Sequence, residues 1–266
     1  MSIIDKNTVV WITGASSGIG EAITKEIAAK GAKLIISSRR QEELDRVKNS
    51  CQTPANVSTL IVDLSDTSAL PAKAKEAEAI HGKVDILINS GGISQRDKAI
   101  NTSLEVDRRL MEVNYFGSIT LSKALTKGMM EKKSGHHVVI TSAVGIISTP
   151  LRSAYAASKH ALHGFYDALR AEHHSDGIKV TIALPGFIKT NISMNALTGD
   201  GTKQGTMDNA QANGMSAETC AHKIIRAVEK NTEEIYIGGI KEKAGIYIKR
   251  FFPGLFSRLV RKMAVT

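Results

Sequence analysis

Only two cysteines occur in the 266 residues, Cys51 and Cys220, with no Cys-x-x-Cys spacing. They build no disulfide framework; a single bridge stays open beside the reading of two buried or half-buried thiols. No run approaches the roughly 18–20 apolar residues of a spanning helix. The N-terminal MSIIDKNTVVWITG lacks a charged region ahead of its short apolar stretch and lacks a cleavage site. It reads as a first strand, so a cytoplasmic setting is expected. Repeats of 20–50 residues and low-complexity tracts are also missing, which excludes solenoids and arrays. Excess charge is missing from most of the chain. Of the net +9, residues 241–266 carry seven Lys/Arg against one Glu, leaving 28 against 25 in the first 240. A body that close to neutral argues against a nucleic-acid surface.

What is present is an ordinary globular composition, 42% hydrophobic and 23% charged, long enough for one large core. Short β-branched apolar runs at 8–13, 33–37, 58–62, 84–88, 137–141, 178–184 and 234–237 alternate with helical patterns at 21–30, 41–48, 67–81 and 154–173. Connections of that length imply parallel strands and right-handed crossovers that place helices on both faces. The expected fold is a doubly wound α/β sheet of about seven parallel strands. One domain is expected over 1–239, with a basic amphipathic extension over 240–266.

Between the first strand and the first helix stands Thr13-Gly14-Ala15-Ser16-Ser17-Gly18-Ile19-Gly20. Gly14 suits a tight turn, Gly18 a close backbone approach, and Gly20 tight helix–strand packing, with helix N–H groups facing a pyrophosphate. A purely structural glycine turn is the alternative. After the second strand the chain reads Ile36-Ser37-Ser38-Arg39-Arg40. The carboxylate that would hold a ribose 2′-hydroxyl is missing, and two guanidiniums suit a 2′-phosphate, pointing to NADP(H) over NAD(H). Arginines facing water in a loop remain the other reading. Asp63 with Leu64 suits an adenine edge, or a helix cap. Asn89 opens the small-residue segment Asn89-Ser90-Gly91-Gly92, against which a dinucleotide could lie.

Tyr155 and Lys159 stand one helical turn apart, so they share a face. A phenol titrates near pH 10 unaided, and a neighbouring cation lowers that value toward useful acid–base chemistry. Ser142, at the end of the fifth strand, belongs at the same crevice. With these residues on the page, the chain resembles the short-chain dehydrogenase/reductase family, in its shorter single-domain class. The resemblance covers about 7–238 and rests on TGASSGIG at 13–20, NSGG at 89–92, Asn114 in VNYFG, Ser142, YAASK at 155–159, and Pro185-Gly186 followed by Thr190. It implies a Rossmann-type fold and a carbonyl/secondary-alcohol oxidoreductase. In it, Tyr155 exchanges the proton, Ser142 orients the substrate oxygen, and Lys159 holds ribose hydroxyls while lowering the Tyr155 pKa. Asn114 anchors a water leading to Lys159, and Pro185, Gly186, Ile188 and Thr190 border the nicotinamide. The family usually has NNAG where Ser90 and Gly91 now loosen the backbone. The runs NALT at 195–198 and FPGLF at 252–256 look like a narrower branch with membrane-associated mammalian members. Those act on steroids, retinoids and other carbonyls, one of them linked to acyl- or alkyl-dihydroxyacetone phosphate.

Residues 190–215 form a long polar loop, expected to be a substrate lid. Met194, Leu197, Met207 and Met215 would line an adaptable pocket or pack the loop onto the body. The stretch from Lys241 to Lys262 interleaves aromatics with cations. It would lie on an anionic membrane surface, pack on the body or a neighbouring subunit, or meet another partner. His136-His137 and His173-His174 read as solvent-facing or helix-terminal residues, not as metal ligands. Long helices around 101–131 and 153–175 suggest, with the family, a homodimer or homotetramer. A catalytically inactive nucleotide-binding or membrane-surface scaffold of the same fold is the rival function.

Overall fold

The computed structural model describes residues 3–261. Seven strands, β1 (Val9–Thr13), β2 (Lys33–Ser38), β3 (Val57–Ile61), β4 (Ile86–Asn89), β5 (Gly135–Ile140), β6 (Ile178–Pro185) and β7 (Glu234–Ile237), form one sheet ordered β3-β2-β1-β4-β5-β6-β7. Every neighbouring pair is parallel. Side-chain alternation explains the continuous apolar runs. Val10 and Ile12 face α1 (Gly18–Ala29) and α8 (Ala217–Glu229), while Val9 and Trp11 face α3 (Leu70–His81) and α5 (Gly117–Glu131). Both faces are covered, so neither can be polar. Between β3 and β4 the chain crosses to the opposite side of β1, making a switch point where Thr13 aligns with Ser37 and Asn89. Ligands of such sheets sit in the crevice at these carboxyl ends.

The remaining helices are α2 (Gln41–Asn49), α4 (Leu104–Met111), α6 (Ser153–Glu172), α7 (Asn209–Ala212), α9 (Ile240–Phe251) and α10 (Pro253–Val260). The helical pattern around 101–131 is not one helix. A π-helical turn, Glu112–Phe116, joins α4 to α5 and carries Asn114, and such turns concentrate at functional sites. Cys51 and Cys220 are both free and buried.

Two expectations need correction. His136 and His137 do not face solvent: they are 4% and 0% exposed. They stand in β5, a central strand between β4 and β6, so opposite faces both lead into covered layers. Their Nε2 atoms lie 2.9 Å from Thr181 Oγ1 and 3.0 Å from Thr126 Oγ1. His173 and His174 do lie at the α6 C-terminus, with His173 Nδ1 2.9 Å from Asp176 Oδ2.

The segment 190–215 is also more ordered than a bare loop. Leu197 pairs with Gln95 and Lys203, Ile188 pairs with Met215, and Ser193, Ala196 and Asp208 are buried. Its four apolar residues do not share one pocket. Leu197 packs beside Tyr155, Met215 joins the main core, Met194 is exposed, and Met207 lines a cleft of about 340 Å³ with Thr190 and Ser216.

The C-terminal helices dock on the body with one face. Ile246 and Phe256 pack on Ala143 and Ile147, and Lys249 Nζ donates to Ile146 O at 2.5 Å. Tyr247, Phe251, Phe252, Leu255 and Leu259 remain exposed. Lys262, the last cation of this stretch, lies outside the described residues. Among the described residues no helix is long and apolar enough to cross a membrane, and no group of three or more His, Cys, Asp or Glu could hold a metal.

Candidate active site

The glycine turn is a cradle that only glycine can complete. Gly14 has φ +66°, and a Cβ there would lie 2.6 Å from Gly91 Cα; one at Gly20 would meet the Gly14 carbonyl oxygen. Backbone strands therefore touch where side chains would hold them apart. Ser17 stands at the N-terminal end of α1 with no capping hydrogen bond from its side chain, Ser16 is half-buried, and Ile19 packs against the core. Gly18 faces Thr190, whose Cγ2 stands 3.0 Å from the place of a Cβ. This joins the phosphate-sized turn to the segment that follows β6. Gly91 N–H donates to Thr13 Oγ1 at 3.3 Å, and Leu64 packs into the space that the missing Cβ atoms of Gly91 and Gly117 leave. The donor set, with helix N–H groups and no carboxylate in the turn, fits a dinucleotide pyrophosphate.

At the end of β2, Ser38 Oγ accepts from Arg40 N–H at 3.3 Å, and Arg39 and Arg40 are exposed. Arg40 has one long contact, 4.0 Å to Glu43. Asp63 is exposed and accepts from Ser65 N–H and Oγ–H at 2.9 and 2.7 Å. Slight burial raises its pKa, but the Ser65 donors and the charges of Arg39 and Arg109 outweigh this and hold it low. Asn89 sits differently from the expectation of a dinucleotide contact. Its amide donates into the core, to Ser122 Oγ at 3.1 Å and Tyr166 OH at 2.9 Å, so the side chain supports the crevice from beneath.

Ser142, Asn114, Tyr155 and Lys159 are all buried within one region. Ser142 stands beside the Tyr155 hydroxyl and draws its pKa down; its own Oγ–H reaches Pro185 O at 3.3 Å and its Oγ accepts from Val144 N–H. Lys159 Nζ donates to Ile140 O at 2.9 Å and lies 5.8 Å from the Tyr155 ring centroid. Burial pushes this ammonium down to about 8. Asn114 is a clamp: Nδ2 donates to Ile93 O and Ser158 Oγ, and Oδ1 accepts from Ile93 N–H at 2.8 Å. Gly92 lies between it and Lys159. Pro185 ends β6, and Gly186, Ile188 and Thr190 follow it along the same edge.

Burial pushes the Tyr155 phenol above its ordinary value, while Ser142 and the charges of Arg152 and Arg96 pull the other way without overcoming it. Those two arginines were not expected at the site. Arg96, Arg152 and Asp208 are 112 and 56 residues apart and fall on three loops or element ends, so no spacing announces them. Arg46 was also missed. Its Nη2 donates to Ser16 O at 3.0 Å and Glu21 Oε2 at 2.9 Å, tying α2 to the glycine turn. Its spacing of three from Glu43 was the one available signal.

A doubly wound sheet whose switch point carries a dinucleotide cradle and a buried group able to handle a proton defines a class, the nicotinamide-dependent oxidoreductases. Residues 8–200 match the family described as short chain dehydrogenase. The chain belongs to the short-chain dehydrogenase/reductase family. Among curated relatives, it is 43% identical to "Dehydrogenase/reductase SDR family protein 7-like" of Anopheles gambiae, covering 96% of this chain and 83% of that one. It is 41% identical to "Dehydrogenase/reductase SDR family member 7B" of Danio rerio, covering 97% and 86%. A short-chain dehydrogenase of Streptomyces avermitilis superposes with a TM-score of 0.83 at 29% identity, covering 99% of this chain and 100% of that one. A short-chain dehydrogenase/reductase of Burkholderia phymatum, in complex with NAD, shares the fold at a TM-score of 0.84 and 22% identity, with 96% of each chain covered.

Proposed function

We propose that this oxidoreductase interconverts a carbonyl and a secondary alcohol using NADP(H), with Tyr155 as the general acid/base. The observation that carries this reading is the burial together of Tyr155, Ser142 and Lys159, with Tyr155 one helical turn from Lys159 and at the same strand ends as the glycine cradle. When bound, the dinucleotide would supply or accept hydride at C4 of its nicotinamide ring. Tyr155 would give its phenolic proton to the carbonyl oxygen in reduction and take it back in oxidation. Ser142 would turn its hydroxyl from Pro185 O toward that oxygen. Lys159 has three hydrogens and spends one on Ile140 O, leaving two for ribose hydroxyls. Asn114 would anchor a water in the space beside Gly92, through which Lys159 draws protons. Leu197, Val144 and Leu110 pack around the phenol, which keeps bulk water from the reaction and suits a lipid-like substrate. Loss of turnover on Tyr155→Phe with dinucleotide binding retained is the test, and it separates an enzyme from an inactive scaffold.

The choice of NADP(H) rests on Arg39 and Arg40, exposed with no carboxylate between them. The double variant Arg39→Ala/Arg40→Ala is expected to weaken NADPH binding by about 10–100-fold, as for two lost charge-assisted contacts, and to leave NADH nearly unchanged. Calorimetric titration of both dinucleotides checks this, and equal losses for both would refute it.

We also propose peripheral contact with an anionic lipid surface through α9 and α10, the extension beyond the 1–239 catalytic unit. Exposed Tyr247, Phe251, Phe252, Leu255 and Leu259 stand among Lys249, Arg250, Arg258 and Arg261, the composition of an interfacial helix pair. The triple variant Tyr247→Ser/Phe251→Ser/Leu255→Ser leaves the docked Ile246 and Phe256 in place. It is expected to lose most co-sedimentation with phosphatidylserine vesicles. Undiminished binding would remove the proposal. We also propose a homodimer or homotetramer through the helices around 101–131 and 153–175, where Phe116 stands exposed.

A further inference from the structure

Beside Tyr155 lies a buried charge cluster with no part in the reading above. Asp208 Oδ2 accepts from Arg96 Nε at 2.8 Å, lies 2.8 Å from Arg96 Nη2, and accepts from Arg152 Nη2 at 3.3 Å. The three residues are 3%, 8% and 4% exposed. Arg96 is fixed from its other side by Ser94 Oγ and Gln95 O, at 2.7 and 2.8 Å. Arg152 begins the turn that carries Tyr155, and its guanidinium lies 5.5 Å from the Phe187 ring centroid. Asp208 comes from the segment 190–215 and is steadied within it by Gln204 Nε2 at 3.0 Å and Ser193 Oγ at 3.3 Å. Two guanidiniums therefore face one carboxylate, and the carboxylate belongs to the 190–215 segment, whose Leu197 packs beside Tyr155. Burying such a set is costly, and hydrophobic packing would serve stability as well.

We propose that Arg96, Asp208 and Arg152 form a latch that couples closure of the 190–215 segment to the proton affinity of Tyr155. The proposal deepens the reading of Tyr155 as the proton donor and rests on it. With the segment closed, Asp208 neutralises one of the two positive charges, and the phenol keeps its proton for delivery to a carbonyl. With the segment lifted, Asp208 withdraws its negative charge from both guanidiniums, and the added positive potential favours the phenolate. The other polar groups facing Tyr155 do not change in this movement, whereas Leu197, which packs beside the phenol, leaves with the segment, and the water it admits favours the phenolate as well. Ser142 comes from the end of β5, Lys159 from α6 itself, and α4 offers only the apolar Val106 and Leu110. Asp208 and the arginines are positioning residues, acting through the phenol.

The test is the ionisation of Tyr155, read as tyrosinate absorbance against a Tyr155→Phe reference, in parallel with the pH profile of kcat/KM for alcohol oxidation. Asp208→Asn, equal in size, is expected to move the inflection down by about one pH unit, the size expected of one uncovered charge nearby. Arg152→Gln is expected to move it up by a similar amount, and Arg152→Lys to restore it toward the parent value. Arg96→Gln supplies a second upward arm if Arg152→Gln does not fold. Inflections that stay in place, or that move the same way for Asp208→Asn and an arginine variant, overturn the latch. The absorbance titration needs neither cofactor nor substrate. A chain without turnover would thus refute the enzymatic reading while still reporting on the latch.

Discussion

Tyr155→Phe is expected to lower kcat/KM for carbonyl reduction by about 10²–10⁴-fold, the usual contribution of a positioned general acid. That range corresponds to about 3–5 kcal/mol of transition-state stabilisation. The substitution removes one oxygen and leaves the ring packed against Val106, Leu110 and Leu197, so the fold and the cradle stay as they are. Ser142, the nearest polar neighbour of the lost hydroxyl, keeps Pro185 O and Val144 N–H as partners. Dinucleotide affinity should therefore change by less than about threefold, because the phenol contributes at most one modest hydrogen bond to binding. Steady-state kinetics with a panel of carbonyls and calorimetry with NADPH check the two halves together. Retained turnover would remove Tyr155 from the chemistry. Lost binding would instead show that the phenolic oxygen helps to hold the dinucleotide crevice.

The parts of this site legible in the chain share a property: each combines a local spacing with a position at a strand end. Gly14, Gly18 and Gly20 follow β1, Arg39 and Arg40 follow β2, and Tyr155 and Lys159 share a helical face. The parallel direction of the strands needs no long-range information either, since β-branched runs separated by helices favour a parallel sheet, whereas their order comes from the structure. Illegible features arise from contacts between distant segments. Asp208 meets Arg96 and Arg152 only because the 190–215 segment folds back, and a lone aspartate in a polar loop looks like any solvated residue. Asn89 reads as a crevice residue by position, yet its amide turns to Ser122 and Tyr166 from α5 and α6. The C-terminal stretch shows its amphipathic pattern, but which face docks depends on Ala143 and Ile147, about a hundred residues earlier. His136 and His137 misled for a simpler reason: histidine is intermediate between buried and exposed, and only the central place of β5 decides which applies.

That same burial makes the protein's stability fall between pH 6.5 and 4.5, before most carboxylates titrate. Burial pushes His136 down to about 4 and His137 to about 3, from an ordinary 6.5. In that window the unfolded chain binds protons at both histidines and the folded chain does not, so acid favours unfolding. The penalty begins as pH drops through 6.5 and stops growing once the folded histidines themselves protonate. At pH 4.5, two units below the unfolded value, it reaches about 3–5 kcal/mol for the pair, allowing for relaxation around the charged rings. That is a large share of the 5–15 kcal/mol typical of folded domains. Urea midpoints at pH 7.5, 6.5, 5.5 and 4.5 should therefore decline steeply over the last three points. His137→Gln keeps a partner for Thr126 and removes one titration. Its stability should be lower at pH 7.5, with a shallower decline toward pH 4.5. A parent protein whose midpoint is flat across this range would mean that the two imidazoles accept protons in place, which the dry, two-sided packing of β5 opposes.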